Sequence, residues 1–191
     1  MTELSSLITD LASGDDLRAE RALASLAAHG LAALPALLQL ARSPSPDHRW
    51  WAIRCLADLH DGRADTALRK GLQDADLAVC QAAAVALRDR PLATAIPQLA
   101  ALLGSKDHLL SRLASDALAA TGSAATSALA EALQSTSATT RIAAARALAF
   151  NQDPGAIPAL YAALEDASSL VEYWAMEGPE RRGLGMVYFP P

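Results

Sequence analysis

The sequence predicts an all-α protein, an α-solenoid of about six helical hairpins, and three observations predict it. Leucines recur at Leu7, Leu37, Leu68, Leu99, Leu129 and Leu160, in steps of 30 or 31 residues, and self-similarity at such a period marks a stacked-repeat architecture. Alanines keep the same beat at Ala22, Ala52, Ala83, Ala114, Ala144 and Ala175, as do Leu26, Leu56, Leu87, Leu118 and Leu148 in a column that breaks at Pro179. The composition is 52% hydrophobic with only 4% aromatic, so the apolar content is mostly small and aliphatic, as in close-packed helices. Val, Ile, Thr and Tyr are too scattered to build a sheet.

The units fall at about 1–30, 31–61, 62–91, 92–122, 123–153 and 154–182, followed by a tail over 183–191. Each holds a first and a second helix. In the first unit Leu7 marks the first helix, Asp16 is the expected cap of the second, and His29-Gly30 ends it. In the second unit Pro35 suits a first turn, where its missing N–H costs nothing. SPSPD, ending at Asp47, leads into RWWAIRCL (Arg49 to Leu56), whose apolar residues have i, i+3, i+4, i+7 spacing, and Asp61-Gly62 closes the unit. The third unit places Thr66 in the proline column and caps its second helix at Asp76. The fourth reads IPQLAALL (Ile96 to Leu103), caps at Asp107 and stops at Thr121-Gly122. The fifth carries Ser127 in the proline column, then Ser137 and RIAAARAL (Arg141 to Leu148), and ends at Pro154-Gly155. The sixth reads IPALYAAL (Ile157 to Leu164), caps at Ser168, and is expected to be cut short at Gly178-Pro179. A hairpin of about 31 residues cannot bury its apolar faces alone, so stacking must bury them. The alanine columns let neighbouring helices approach to the short end of the ~8–10 Å packing range.

At 191 residues the chain suits one domain or one short array with a buried core. A net charge of −5 and a pI of about 5.3 argue against a non-specific grip on phosphate backbones or anionic lipid, so neither nucleic acid nor a membrane is an expected partner. The opening MTELSSLITD lacks a basic n-region and an apolar stretch, and no uncharged apolar run is expected to span a bilayer. The expected location is cytoplasmic. Cys55 and Cys80 are too few for a disulfide framework and read as buried or half-buried thiols.

The pattern I-P-x-L-x-x-L-L in the first helix, a turn with Asp, and V-R-x-x-A-A-x-A-L in the second resembles the HEAT-like repeats of bacteria, including those first named for phycobilin lyases. Ile96-Pro97-Gln98-Leu99 and Thr140-Arg141 through Ala147-Leu148 match most closely, and the resemblance covers about the whole chain. It implies an adaptor role in most cases and a bilin lyase-like or chromophore-handling subunit in a minority. It also implies that two columns form ladders of ion pairs and cap bonds between layers: Arg18, Arg49, Cys80, Ser111, Arg141 and Glu172, and the turn residues Asp16, Asp47, Asp76, Asp107, Ser137 and Ser168.

No glycine-rich phosphate loop, nucleophile elbow, zinc signature or calcium loop occurs, and no enzyme activity or cofactor is expected. His29 and His60 read as residues closing second helices, where partial positive charge meets the helix's negative pole; with no recurring third ligand, no metal is expected. His48 and His108 follow expected caps and read as turn residues. Cys80 has no local base or cation among Val79, Gln81 and Ala82 that would lower its pKa.

What remains is surface. The position after the arginine column reads Trp50, Gln81, Arg112, Ile142 and Tyr173, and four residues further come Arg54, Val85, Asp116, Arg146 and Glu177. These positions vary where the Ala and Leu columns do not. Trp50, Arg54, Gln81, Arg112, Arg146 and Tyr173 are therefore the expected partner-binding residues. They form a groove lined by the second helices, with Trp50 as anchor and arginines for the partner's acids. The column Trp51, Ala82, Leu113, Ala143 and Trp174 is apolar throughout and is expected to be core. In the tail, Met186, Val187, Tyr188 and Phe189 are expected to fold back over the open end of the sixth unit, with Gly183 and Gly185 permitting the reversal. The rival role is docking to a second copy or another protein.

Overall fold

The computed structural model describes residues 3–184. Twelve α-helices, and no strand, occur among these residues. They pair as hairpins: α1 (Glu3–Leu11) with α2 (Asp16–His29), α3 (Leu34–Leu40) with α4 (Pro46–Ala57), α5 (Gly62–Gly71) with α6 (Leu77–Asp89), α7 (Ile96–Leu102) with α8 (His108–Ala120), α9 (Ser123–Ala132) with α10 (Ala138–Phe150), and α11 (Ala156–Ala162) with α12 (Ser169–Arg181). The fold is an all-α solenoid of stacked hairpins. Its contacts fall into two compact units, Met1–Arg90 and Pro91–Pro191. In the first, α4 packs against α2 and α6; in the second, α10 packs against α8 and α12.

The core is the periodic columns. Leu37, Leu68, Leu99, Leu129 and Leu160 are buried, as are all six column alanines and Leu26, Leu56, Leu87, Leu118 and Leu148. Leu7 is half-buried. Each fully buried leucine contributes about 1.5–3 kcal/mol, and the alanines set how closely second helices approach.

Local structure departs from expectation where proline decides. Pro35, Pro97 and Pro158 sit in the first turns of α3, α7 and α11, which are 7 residues each. Thr66 and Ser127 do not lie in first turns, because α5 and α9 begin a turn earlier, at Gly62 and Ser123, and run for 10 residues. Threonine and serine keep an N–H for the helix ladder, whereas proline has none and leaves the preceding stretch as 3₁₀ in Gly30–Ala33 and Ala93–Ala95.

Four further readings are corrected. Asp15, not Asp16, caps α2, accepting from the N–H groups of Leu17 and Arg18. Ser45, not Asp47, is the N-cap of α4, because Pro46 takes the first helical position and leaves Asp47 in the first turn. Asp76, Asp107 and Ser137 cap as expected, and Ser168 occupies the cap position of α12 without a side-chain bond. The sixth unit is not cut short at Gly178-Pro179; α12 runs through both residues to Arg181. An uncharged apolar run does exist: residues 22–41 carry no Asp, Glu, Lys or Arg. Asp16–Leu40 is, among the described residues, the one helical run long and apolar enough to cross a membrane. The 3₁₀ turn divides it, with Gly30 at φ +52°, and Leu26, Leu34 and Leu37 on either side are buried.

Candidate protein-binding surface

Beside the buried alanine column, the second helices carry a column of positions that stays uncovered. It runs Glu20, Trp50, Gln81, Arg112, Ile142 and Tyr173, and none of these is buried, whereas the alanines two positions further along each helix all are. Two residues turn an α-helix by about 200°, so burying the alanines aims this column outward.

In the first unit Trp50 is half-buried, its ring edge-on to buried Trp51 with centroids 4.8 Å apart. The Arg54 guanidinium lies 4.8 Å from the Trp50 centroid and 5.0 Å from that of Trp51. It also donates to Glu20 on α2 at 2.7 Å. Gln81 is half-buried on α6. In the second unit Arg146 repeats the device: Nη1 donates to Asp116 of α8 at 2.6 Å, and the guanidinium lies 5.1 Å from the Phe150 ring and 5.9 Å from Trp174. Arg54 and Arg146 thus tie one layer to the one before it and cover an aromatic group, a cation–π arrangement. Arg112 is exposed and has no ion pair among the described residues. Tyr173 is 47% exposed and stands edge-on to Trp174, centroids 4.9 Å apart. Of the column expected to be core, Trp51, Leu113 and Ala143 are buried, while Ala82 and Trp174 are half-buried.

A cleft of about 310 Å³ opens on this face of the second unit, along the N-terminal halves of α8 and α10 and beside the start of α12. Arg112, Ile142, Arg146 and Leu170 line it, the last being 54% exposed. With Tyr173 next on the same helix, the surface combines an apolar hollow, an aromatic ring and a free guanidinium. The tail residues Met186, Val187, Tyr188 and Phe189 lie outside the described residues.

The arginine ladder exists, with partners other than the expected turn acids. Arg49 forks onto Asp74 at 2.7 and 2.8 Å while donating to the carbonyls of Ser43 and Pro44. Arg141 does the same with Asp166, at 2.8 and 3.1 Å, and with the carbonyls of Ser135 and Thr136. The guanidinium bonds hold both carboxyls below the usual aspartate range. Arg18 instead pairs with Asp10. Cys80 and Ser111 occupy the arginine position and donate to the carbonyls of Asp74 and Leu103. Burial raises both thiols, Cys55 to about 12, so neither is a ready nucleophile at neutral pH. His60 lies against the Asp58 carbonyl and His48 against the Ser43 hydroxyl. No three potential metal ligands gather among the described residues.

The family profile for HEAT repeats matches residues 4–88, 34–119 and 96–178. No curated protein matches the chain. Among solved structures, an archaeal HEAT-like repeats protein from Thermococcus onnurineus NA1 is similar at 17% identity and a TM-score of 0.63, over 100% of this chain and 84% of that one. A complex of CpcE and CpcF of phycocyanin lyase from Nostoc sp. PCC7120 is similar at 24% identity and a TM-score of 0.56, over 93% and 76%. A designed armadillo repeat protein in complex with the peptide (KR)4 is similar at 23% identity and a TM-score of 0.53, over 94% and 99%.

Proposed function

The chain belongs to the family of HEAT repeats, and from that premise we propose that it is a non-catalytic protein-interaction module, an adaptor, scaffold or assembly factor, that holds its partner on the outward face of the second helices. One observation carries the reading: on the second unit, exposed Leu170 lines the ~310 Å³ cleft together with the unpaired Arg112, and exposed Tyr173 follows three residues on along the same helix. Large apolar groups in a row beside a hollow suit an interface anchor, and an arginine free to fork suits a partner's carboxylate. The partner is an extended or helical segment offering an apolar side chain next to an acid. Trp50 and Gln81 carry the same outward column in the first unit. Arg54 and Arg146 shape the face through their aromatic contacts, since their charges are already met within the chain.

The test is capture from native extract with wild-type protein beside Tyr173→Ala, Arg112→Ala and Trp50→Ala baits. The expected result is a partner whose yield falls at least about tenfold with the Tyr173 variant, the loss of one hot-spot contact. Equal recovery by all four baits overturns the assignment.

Chromophore handling is the alternative reading. Both thiols are buried, and burial raises them, which disfavours covalent attachment; a tetrapyrrole titration followed by absorbance tests this reading. The tail is proposed to cover the exposed end of the sixth unit. There Met176 is 39% exposed, while Ala145, Ser115, Ala84 and Ile53 at equivalent positions are buried. The structure of α12 ends suitably for a reversal: Gly183 has φ +72° and the Leu184 N–H returns to the Pro179 carbonyl at 3.0 Å.

A further inference from the structure

The opposite face of the first unit, built by first helices, carries a cleft that the repeat does not require. It has a volume of about 290 Å³, is bounded by α3, α4, α5 and α6, and has Leu38, Ile53 and Val79 in its lining. Arg42, Arg63 and Lys70 stand on its wall, together with the Arg49–Asp74 pair. Arg63 is shared with Asp61 at 2.9 Å, whereas the side chains of Arg42 and Lys70 have no ion pair among the described residues. A second hollow of about 780 Å³ shares Leu38, Arg42 and Arg63 and continues over Ile8 and Pro35.

The repeat supplies an internal control for these cations. The positions equivalent to Arg42 hold Ala12, Gln73, Gly104, Gln134 and Glu165. Those equivalent to Lys70 hold Thr9, Gln39, Ala101, Glu131 and Ala162, and those equivalent to Arg63 hold Thr2, Ala32, Thr94, Ala124 and Gly155. No other unit places a basic residue at any of the three positions, so hairpin stacking does not need one there. Three cations gathered on one cleft, in a chain whose net charge is −5, mark a local field opposite in sign to that of the whole protein.

We propose that this cleft binds an amphipathic organic dianion, a phosphate monoester on an apolar body. The head sits between Arg42, Arg63 and Lys70, and the body lies along Leu38 and into the adjoining hollow. Two unpaired cations with a third held in a pair match a group of charge about −1.5 to −2. An arginine fork fits phosphate oxygens, and lysine adds a point charge. The volume sits at the lower end of small-ligand pockets, and its apolar lining with few convergent charges is the usual make-up of one.

Isothermal titration of the full chain with phenyl phosphate, phenol, phenylacetate and inorganic phosphate tests this. Saturable binding of phenyl phosphate is expected, at least about tenfold tighter than phenol and inorganic phosphate, because each of those lacks one half of the contact. Phenylacetate, the monocarboxylate, should bind more weakly than phenyl phosphate; tighter binding of phenylacetate overturns the phosphate assignment. Arg42→Gln and Lys70→Gln, both at exposed positions, should each weaken phenyl phosphate about tenfold. Asp61→Asn, which keeps a good helix cap and frees Arg63, should tighten it. Lys106→Gln, at an exposed position on the second unit, should leave it unchanged. Absence of saturable binding up to about 10 mM, weaker than any affinity of use, overturns the proposal. So does equal loss with Lys106→Gln, which would mark general attraction of anions.

Discussion

Gly178 stands one residue before the point where the other second helices carry a column leucine, and its lack of a side chain is what lets α12 close on its neighbours. A Cβ there would come within 2.5 Å of Leu160 Cδ1 and 3.0 Å of the Ala149 backbone. Beside it Pro179 is buried within the helix, where its ring forfeits one ladder bond. Arg182 offsets part of this, donating to the carbonyls of Gly178, Leu148 and Asn151 and so joining the ends of α12 and α10. Gly178→Ala should cost about 1–3 kcal/mol by overpacking and lower the thermal midpoint by ~2–10 °C, read by circular dichroism. An unchanged melt would mean that α12 is free to move away. The ladder partners were hidden at this scale too. Asp74 and Asp166 lie two residues before the cap column, at positions that read Ser13, Ser43, Asp74, Ser105, Ser135 and Asp166. An acid appears there only where the preceding unit carries Arg49 or Arg141, a correlation visible in the sequence. It was masked because the cap acids beside it also explain themselves locally.

For the elements, existence and pairing were legible and boundaries were not. A buried leucine every 30 or 31 residues requires stacking whatever the loops do, so every hairpin was predictable. The starts of α5 and α9 depended on the N–H that threonine and serine keep, which a column read as uniform does not reveal. The outward column was legible because exposure follows from rotation about the helix. The engagement of Arg54 and Arg146 was not, since it depends on Glu20 and Asp116 in neighbouring helices. The tail proposal belongs to this scale. Deleting residues 185–191 should lower the melting midpoint by more than about 5 °C if four apolar side chains cover α12, each contributing about 1.5–3 kcal/mol. An unchanged melt with loss of self-association, measured by light scattering, would assign the tail to docking instead.

For the whole molecule the acids tied into turns and ladder predict a pH response. Arg49 lowers Asp74, Arg141 lowers Asp166, and the Thr126 hydroxyl lowers Asp153. A carboxyl whose folded pKa is depressed adds stability that is complete above the ordinary aspartate range and is lost as pH falls through the folded value. Urea midpoints should therefore hold from neutral pH to about pH 5 and decline below it, where the unfolded chain takes up protons first. The Asp74→Asn/Asp166→Asn protein should start lower and decline less steeply. An identical slope in both proteins would show that the ladder contributes nothing to acid stability.

The alternation of proline with hydroxyl residues at the start of the first helices reaches further than helix length. The column reads Ser5, Pro35, Thr66, Pro97, Ser127 and Pro158, and the helices that carry it are 9, 7, 10, 7, 10 and 7 residues long. The smallest true duplicate is thus a double hairpin of 61 or 62 residues, the distance from Leu7 to Leu68 or from Leu37 to Leu99. A lineage lengthening such a gene by tandem copying would conserve the alternation only by adding material in that larger increment, since a lone hairpin would set two short helices, or two long ones, side by side.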